Sequence, residues 1–226
     1  MVKNLSKISF VIAFVLLVLV QAVGGQSLYE VEIDSRNEAI DLNKTAKKNL
    51  EEGSVNNAFD ELLHSLSIDS LLRETYLLIY QAWLKDKSYT DTVVCAMDKG
   101  KRIFTDDDEL CFYRAEIYRH KYQLPEAVLE YTNATNYAKR NGEDFYLVHY
   151  YYLNRGNCFF QMEMYDGAIA DYNYALKLKS DFAAALNNRA MCYYMQGRKE
   201  EACNDWKQAL LLGYNLSEKY LNEYCK

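Results

Sequence analysis

Four pairs of residues set 34 positions apart constrain what this chain can fold into: Gly156 and Ala190, Ala168 and Ala202, Tyr172 and Trp206, Ala175 and Ala209. A period of that length is one supersecondary unit copied along the chain, and each copy can bury its apolar face only against a neighbour. The strings around these positions agree, with Tyr152-Leu-Asn-Arg-Gly156-Asn-Cys-Phe159 matching Leu186-Asn-Asn-Arg-Ala190-Met-Cys-Tyr193. Small residues at fixed places let helices approach closely, and aromatic rings fill the space left between them. Composition points the same way. Nine glycines and a single proline, Pro125, are too few for the turns of a sandwich or barrel, and 50% apolar content excludes disorder.

The pattern resembles the tetratricopeptide repeat, a pair of antiparallel helices with a small residue at its eighth position and alanine at its twentieth. Upstream, Ala115, Tyr118, Ala127, Tyr131 and Ala134 make a third good copy, and Ala46, Gly53, Ala58, Leu62 and Ser65 a fair one. Between these lies the weakest, where Tyr80 takes the small position and Thr92 the alanine. The resemblance implies an all-α, right-handed superhelical stack of about five helix-turn-helix repeats, near 39–72, 73–107, 108–148, 149–182 and 183–213. One interval is long, and its surplus is expected as a helix stop at Asn141-Gly142 with acids Glu143-Asp144 opening the next helix. The proline usual near the end of the repeat is missing, and Ser70 and Ser180 in its place are expected to cap the following helices.

The two ends read differently. Residues 1–25, with Lys3, Lys7 and the apolar run Ile8 to Val20, are expected to be a signal peptide cleaved before Gln26. A membrane anchor is the competing reading, but thirteen residues of helix span only about 20 Å against a hydrocarbon core of roughly 30 Å. Without Lys3 and Lys7, 24 basic residues face 32 acidic ones, a net charge of −8. With no basic run longer than a pair such as Lys47-Lys48, nucleic acid is a poor partner. The expected localisation is therefore exported, periplasmic or secreted, with no membrane span after signal removal. Residues 26–38 show no period and are expected to be irregular. Residues 214–226 are expected to form a capping helix with Leu216, Tyr220, Leu221 and Tyr224 inward and Ser217 among the outward residues.

Nothing in the sequence assembles a catalytic, metal or cofactor site. His64, His120 and His149 are scattered, no Cys-x-x-Cys or Gly-rich phosphate loop occurs, and Asp106-Asp107-Asp108 reads as a helix start. Three stretches beginning at Asn43, Asn133 and Asn215 match the glycan acceptor pattern. Of the six cysteines, Cys203 lies ten residues before Gly213 and Cys225 ten after Asn215, so a helix pair turning there sets both at one height. They form either a disulfide or two packed thiols. Cys158 and Cys192 are expected to stay separate core residues.

Function is implied by the resemblance: arrays of this family bind extended peptides or partner helices on an inner groove of first-helix residues. Carried onto this chain, the groove comprises Glu116 and Arg119, then Tyr150, Asn154, Asn157 and Gln161, then Asn187, Asn188 and Tyr194, with Leu153, Phe160 and Met191 among them. Asn154, Asn157 and Asn188 are expected to face solvent, each offering both donor and acceptor to a peptide backbone. The basic clamp with which some relatives hold a C-terminal carboxylate is incomplete. The expected function is non-catalytic binding of a protein or extended peptide. The alternative is a structural or assembly component of an envelope complex with its groove unused.

Overall fold

The computed structural model describes residues 31–143 and 146–226. The expected signal peptide lies outside the described residues. Every regular element among those described is a helix, and no helix among them is long and apolar enough to cross a membrane. The chain forms two compact units, one ending at Asp86 and the other running from Lys87 to Lys226. That boundary falls inside the weakest repeat. Lacking the small residue and the alanine that a tight hairpin needs, this repeat gives its first helix to one unit and its second to the other.

The first unit holds α1 (Ile33–Glu51), α2 (Val55–Ile68) and α3 (Arg73–Lys85). Ala46 and Ala58 are fully buried where α1 and α2 close on each other across the turn at Gly53, whose φ of 82° suits glycine. Asn43 and Thr75 exchange hydrogen bonds at 2.9 and 3.2 Å in the core, so Asn43 is no glycan acceptor in the folded chain. The helix begins at Ile33, which corrects the expectation of an irregular segment to residue 38. Its first turn carries no apolar stripe because it is held by an ion pair instead, Arg36 Nε to the fully buried Asp69 at 2.7 Å. Asp69 also accepts from the Leu71 amide, organising the turn into α3, and Ser70 does not cap that helix; its carbonyl accepts from the Tyr76 hydroxyl. Ser180 is exposed and likewise caps nothing.

In the second unit a short 3-10 turn, Lys87–Tyr89, leads into α4 (Thr90–Ile103). There follow α5 (Asp108–His120), α6 (Leu124–Asn141), α7 (Val148–Gln161), α8 (Tyr165–Leu178), α9 (Ala183–Met195), α10 (Lys199–Leu211) and α11 (Leu216–Tyr224). Helices 5 and 6, 7 and 8, and 9 and 10 form hairpins, and each hairpin packs on the next. The fully buried Ala115, Ala127, Ala168, Ala190 and Ala202 mark the close approaches. Pro125 sits in the first turn of α6, where its missing N–H is no loss. The long interval is absorbed by an 18-residue α6, ended by Gly142 at φ 111°. Glu143 does not open the next helix. It folds back to accept from the hydroxyls of Tyr152 and Tyr174 at 3.1 Å, and α7 starts only at Val148.

In each of the three hairpins of the second unit, an arginine directly before the small residue ties the two helices together. Arg155 makes a two-pronged bond to Asp171 at 2.8 and 2.7 Å and reaches the hydroxyls of Thr132 and Thr135 on the preceding hairpin. Arg189 repeats this with Asp205 and Asn173. Arg114 bonds Glu130 at 2.6 Å.

At the C-terminal end, Trp206 is buried beneath the rings of Tyr194, Tyr220 and Tyr224. A disulfide joins Cys203 of α10 to Cys225 just beyond α11, with Cα atoms 5.8 Å apart. Ser217 is not outward; it is fully buried and donates to Asn187 at 3.0 Å. Cys111, Cys158 and Cys192 are buried thiols, pushed by burial to about 12, whereas Cys95 is exposed. Since the thiolate is the reactive form, a thiol reagent added to the native, unreduced protein should label one cysteine, Cys95, quickly. The other three should react only at the rate of unfolding. Rapid labelling of Cys158 or Cys192 in native buffer would contradict their placement.

Candidate functional site

The inner face of the second unit narrows, toward its C-terminal end, into a cavity of about 310 Å³. First helices of successive hairpins supply one side: Arg119 from α5, Asn157, Phe160 and Gln161 from α7, and Asn187, Asn188 and Met191 from α9. Leu216 and Tyr220 of α11, with Tyr214 before it, supply another.

Gly156 makes the floor possible. A Cβ there would stand 2.7 Å from Cε1 of Tyr172, so only glycine admits that ring between α7 and α8. From this seat the Tyr172 hydroxyl donates to Asn157 Oδ1 at 2.9 Å. Burial raises the Tyr172 pKa, so the phenol stays protonated as a donor.

The polar residues of the inner face are bonded to one another in an unbroken file. Arg119 pairs with Glu116 at 2.7 Å. Asn154 donates to Glu116 at 2.7 Å, Asn157 to Asn154 at 3.4 Å, Asn188 to Asn157 at 2.8 Å and Asn187 to Asn188 at 3.1 Å. Ser217 closes the file on Asn187, and the Tyr131 hydroxyl also donates to Glu116. Burial works against the charge of Arg119, but the hydrogen bond and charge of Glu116 more than compensate and raise its pKa. Lys87 lies near enough to feel both charges; burial lowers it to about 8 against the pull of Glu116.

Of the nine expected groove residues, the cavity gathers Arg119, Asn157, Gln161, Asn187 and Asn188. Glu116 and Asn154 stand behind it in the hydrogen-bonded file. Two lie elsewhere. Tyr150 packs on His149 and Phe182, with ring centroids 4.4 and 5.1 Å away. Tyr194 is covered by α11, its ring 4.4 Å from that of Tyr224. The asparagines do not face open solvent: Asn187 is buried, and Asn154, Asn157 and Asn188 are half-buried and mutually bonded.

The sequence reading missed Tyr214, Leu216 and Tyr220 as lining residues. Carrying the period past Gly213 marks their helix as a further first helix, because Ser217 stands 34 residues after Ala183 and Tyr224 34 after Ala190. The last helix thus packs as the first helix of a further repeat and walls the inner face.

Comparison with known proteins places these features. Residues 156–197 match a family model described as TPR repeat, and residues 183–216 match one described as Tetratricopeptide repeat. No curated protein matches the chain. Among solved structures, the MamA protein aligns at TM-score 0.68 and 17% identity, over 82% of this chain and 95% of that one. YrrB, titled a TPR protein with an unusual peptide-binding site, aligns at 0.66 and 14%, over 88% and 98%. PilW, titled a widely conserved type IV pilus biogenesis factor, aligns at 0.65 and 14%, over 78% of each chain. Residues 156–216 therefore carry tetratricopeptide repeats, within a helical repeat fold shared with these proteins.

Proposed function

We propose that this chain is an exported, non-catalytic adaptor that holds an extended segment of a partner protein in the inner-face cavity of its second unit. The observation that carries the reading is the cavity itself. Hydrogen-bonding side chains from three successive hairpins converge there with the apolar surfaces of Phe160, Met191 and Leu216. Such a mixture suits a backbone and one or two side chains. Likeness to YrrB, whose title names a peptide-binding site, supports the reading. The N-terminal export pattern and likeness to a pilus biogenesis factor support an envelope or secreted setting.

Gln161 provides the cleanest test. It is exposed, lines the cavity and has no polar partner among the described residues, so Gln161→Trp fills the space without breaking a bond. Captured from the producer's envelope fraction by the chain beginning at Gln26, a partner should bind this variant at least about tenfold more weakly, a loss of roughly 1.4 kcal/mol. Helicity and melting should be unchanged. Equal capture by the variant would refute the cavity reading and favour an assembly component whose inner face is idle.

A further inference from the structure

The file of side chains on the inner face has a direction, and one residue sets it. A carboxylate can only accept, so Asn154 must turn its Nδ2 toward Glu116. That leaves Asn154 Oδ1 as the atom facing Asn157, which must therefore donate. Asn157 Oδ1 then points the other way and accepts from both Asn188 and Tyr172, filling both its lone pairs. Asn188 Oδ1 accepts from Asn187, and Asn187 Oδ1 from Ser217. Every amide oxygen in the file is used inside the protein.

Each amide nitrogen carries two hydrogens and spends one on its neighbour. What remains toward the cavity from Asn157 and Asn188 is N–H. At the same end Nη1 of Arg119 is left out of the pairing with Glu116, which runs through Nε and Nη2. Glu116 itself offers nothing to a ligand: its side chain is 12% exposed, and its oxygens accept from Arg119, Asn154 and Tyr131. Gln161 and the tyrosine hydroxyls can act as donor or acceptor, so the groups held in fixed orientation are all donors.

We infer that Glu116, acting as a positioning residue behind the cavity, makes the site a fixed array of donors that selects a segment bearing a carboxylate beside an apolar side chain and rejects a basic one. The inference rests on the peptide-binding reading and adds the chemistry of what is bound. A ligand carboxylate at Arg119 and backbone carbonyls at Asn157 and Asn188 use the spare N–H groups of these three residues. An ammonium or guanidinium would meet the charge of Arg119 and fixed N–H groups, with only Gln161 and the tyrosine hydroxyls free to turn an oxygen toward it.

Two small probes matched in side chain test this on the full chain: N-acetylleucine, an anion, and leucinamide, a cation. Binding is followed through the side-chain amide resonances of Asn157 and Asn188. The expected result is that N-acetylleucine moves these signals with an affinity about tenfold or more above that of leucinamide, the scale of one charged hydrogen bond. In Glu116→Gln, which lets the amides reverse, the preference should narrow severalfold while backbone dispersion stays native. Should Glu116→Gln fail to fold, Arg119→Met gives the second arm, with N-acetylleucine binding lost and the leucinamide response unchanged or stronger. If leucinamide moves the same signals equally well in the native chain, the donor-array inference is overturned and peptide binding stands. If neither probe nor an acidic or basic peptide of the same sequence length moves any cavity signal, both readings fall together.

Discussion

A chain carrying Arg155→Met is expected to lose about 3–5 kcal/mol of stability in its second unit, the usual penalty for stranding one member of a buried ion pair. Asp171 is nearly inaccessible, and burial already holds its carboxyl above the usual range while Arg155 opposes that shift. Without the guanidinium, burial is opposed only by the charge of Lys139, and Thr132 and Thr135 lose the donor that reaches them from the next hairpin. Arg155→Met with Asp171→Leu should recover most of the loss, because an apolar pair of similar volume has no charge to desolvate. The pH dependence carries a definite sign. In the single variant the folded carboxyl keeps its proton above the unfolded value of 3.8, so its stability relative to the double variant should fall as pH rises past about 4. Urea midpoints for the three proteins provide the measurement, and a loss below about 1 kcal/mol in the single variant would show that the pair does not bind the hairpin together.

Alkali should dismantle the second unit cooperatively. Tyr131, Tyr151 and Tyr172 are fully buried, and burial is the first cause raising each above the ordinary 10.0. Negative neighbours add to it, since the Tyr131 hydroxyl donates to Glu116 and that of Tyr151 to Asp108. A group whose folded pKa is raised contributes stability in full below its unfolded value and loses it as pH climbs beyond. Above about pH 10 each of these three phenols ionises only in the unfolded chain, removing about 1.4 kcal/mol per pH unit, or about 4 kcal/mol together. The buried thiols of Cys111, Cys158 and Cys192, raised from 9.0 to about 12, act in the same direction. Against a domain stability of about 5–15 kcal/mol, unfolding is expected between about pH 11 and 13. The buried set should appear in tyrosinate absorbance together with the loss of helical dichroism. Complete tyrosinate formation with helicity intact would overturn this account.

What the sequence revealed was whatever repeats in size. Small residues at Gly156 and Ala190 and rings at Tyr172 and Trp206 recur because close packing leaves no choice there, so hairpin positions are legible from spacing alone. Charge repeats too, with Arg114, Arg155 and Arg189 each sixteen residues before Glu130, Asp171 and Asp205. That spacing is present in the sequence, but spacing alone does not distinguish a charged pair buried between two helices from one in water. The first turn of α1 escaped because a single ion pair to Asp69 holds it, and one pair has no period. The inner face was legible only as a face. Helical position shows that Asn154, Asn157 and Asn188 point the same way. Whether amides on neighbouring hairpins touch depends on how closely those hairpins stack, which no single helix encodes.

The bond between Cys203 and Cys225 also decides how the molecule would yield under tension. A stack of repeats comes apart from its ends, where a terminal element has a neighbour on one side only, and a nine-residue helix such as α11 has little cohesion of its own. Pull on Lys226, however, and the load passes at once through the two sulfurs into α10, leaving α11 slack inside a covalent loop. The 22 residues of that loop, roughly 70 Å of extensible chain, are withheld from any motor or filament drawing on this end. A partner anchored at the C-terminus therefore pulls on α10 at Cys203, and Asp205, the buried Trp206 and the wall of the cavity all stay inside the unloaded loop.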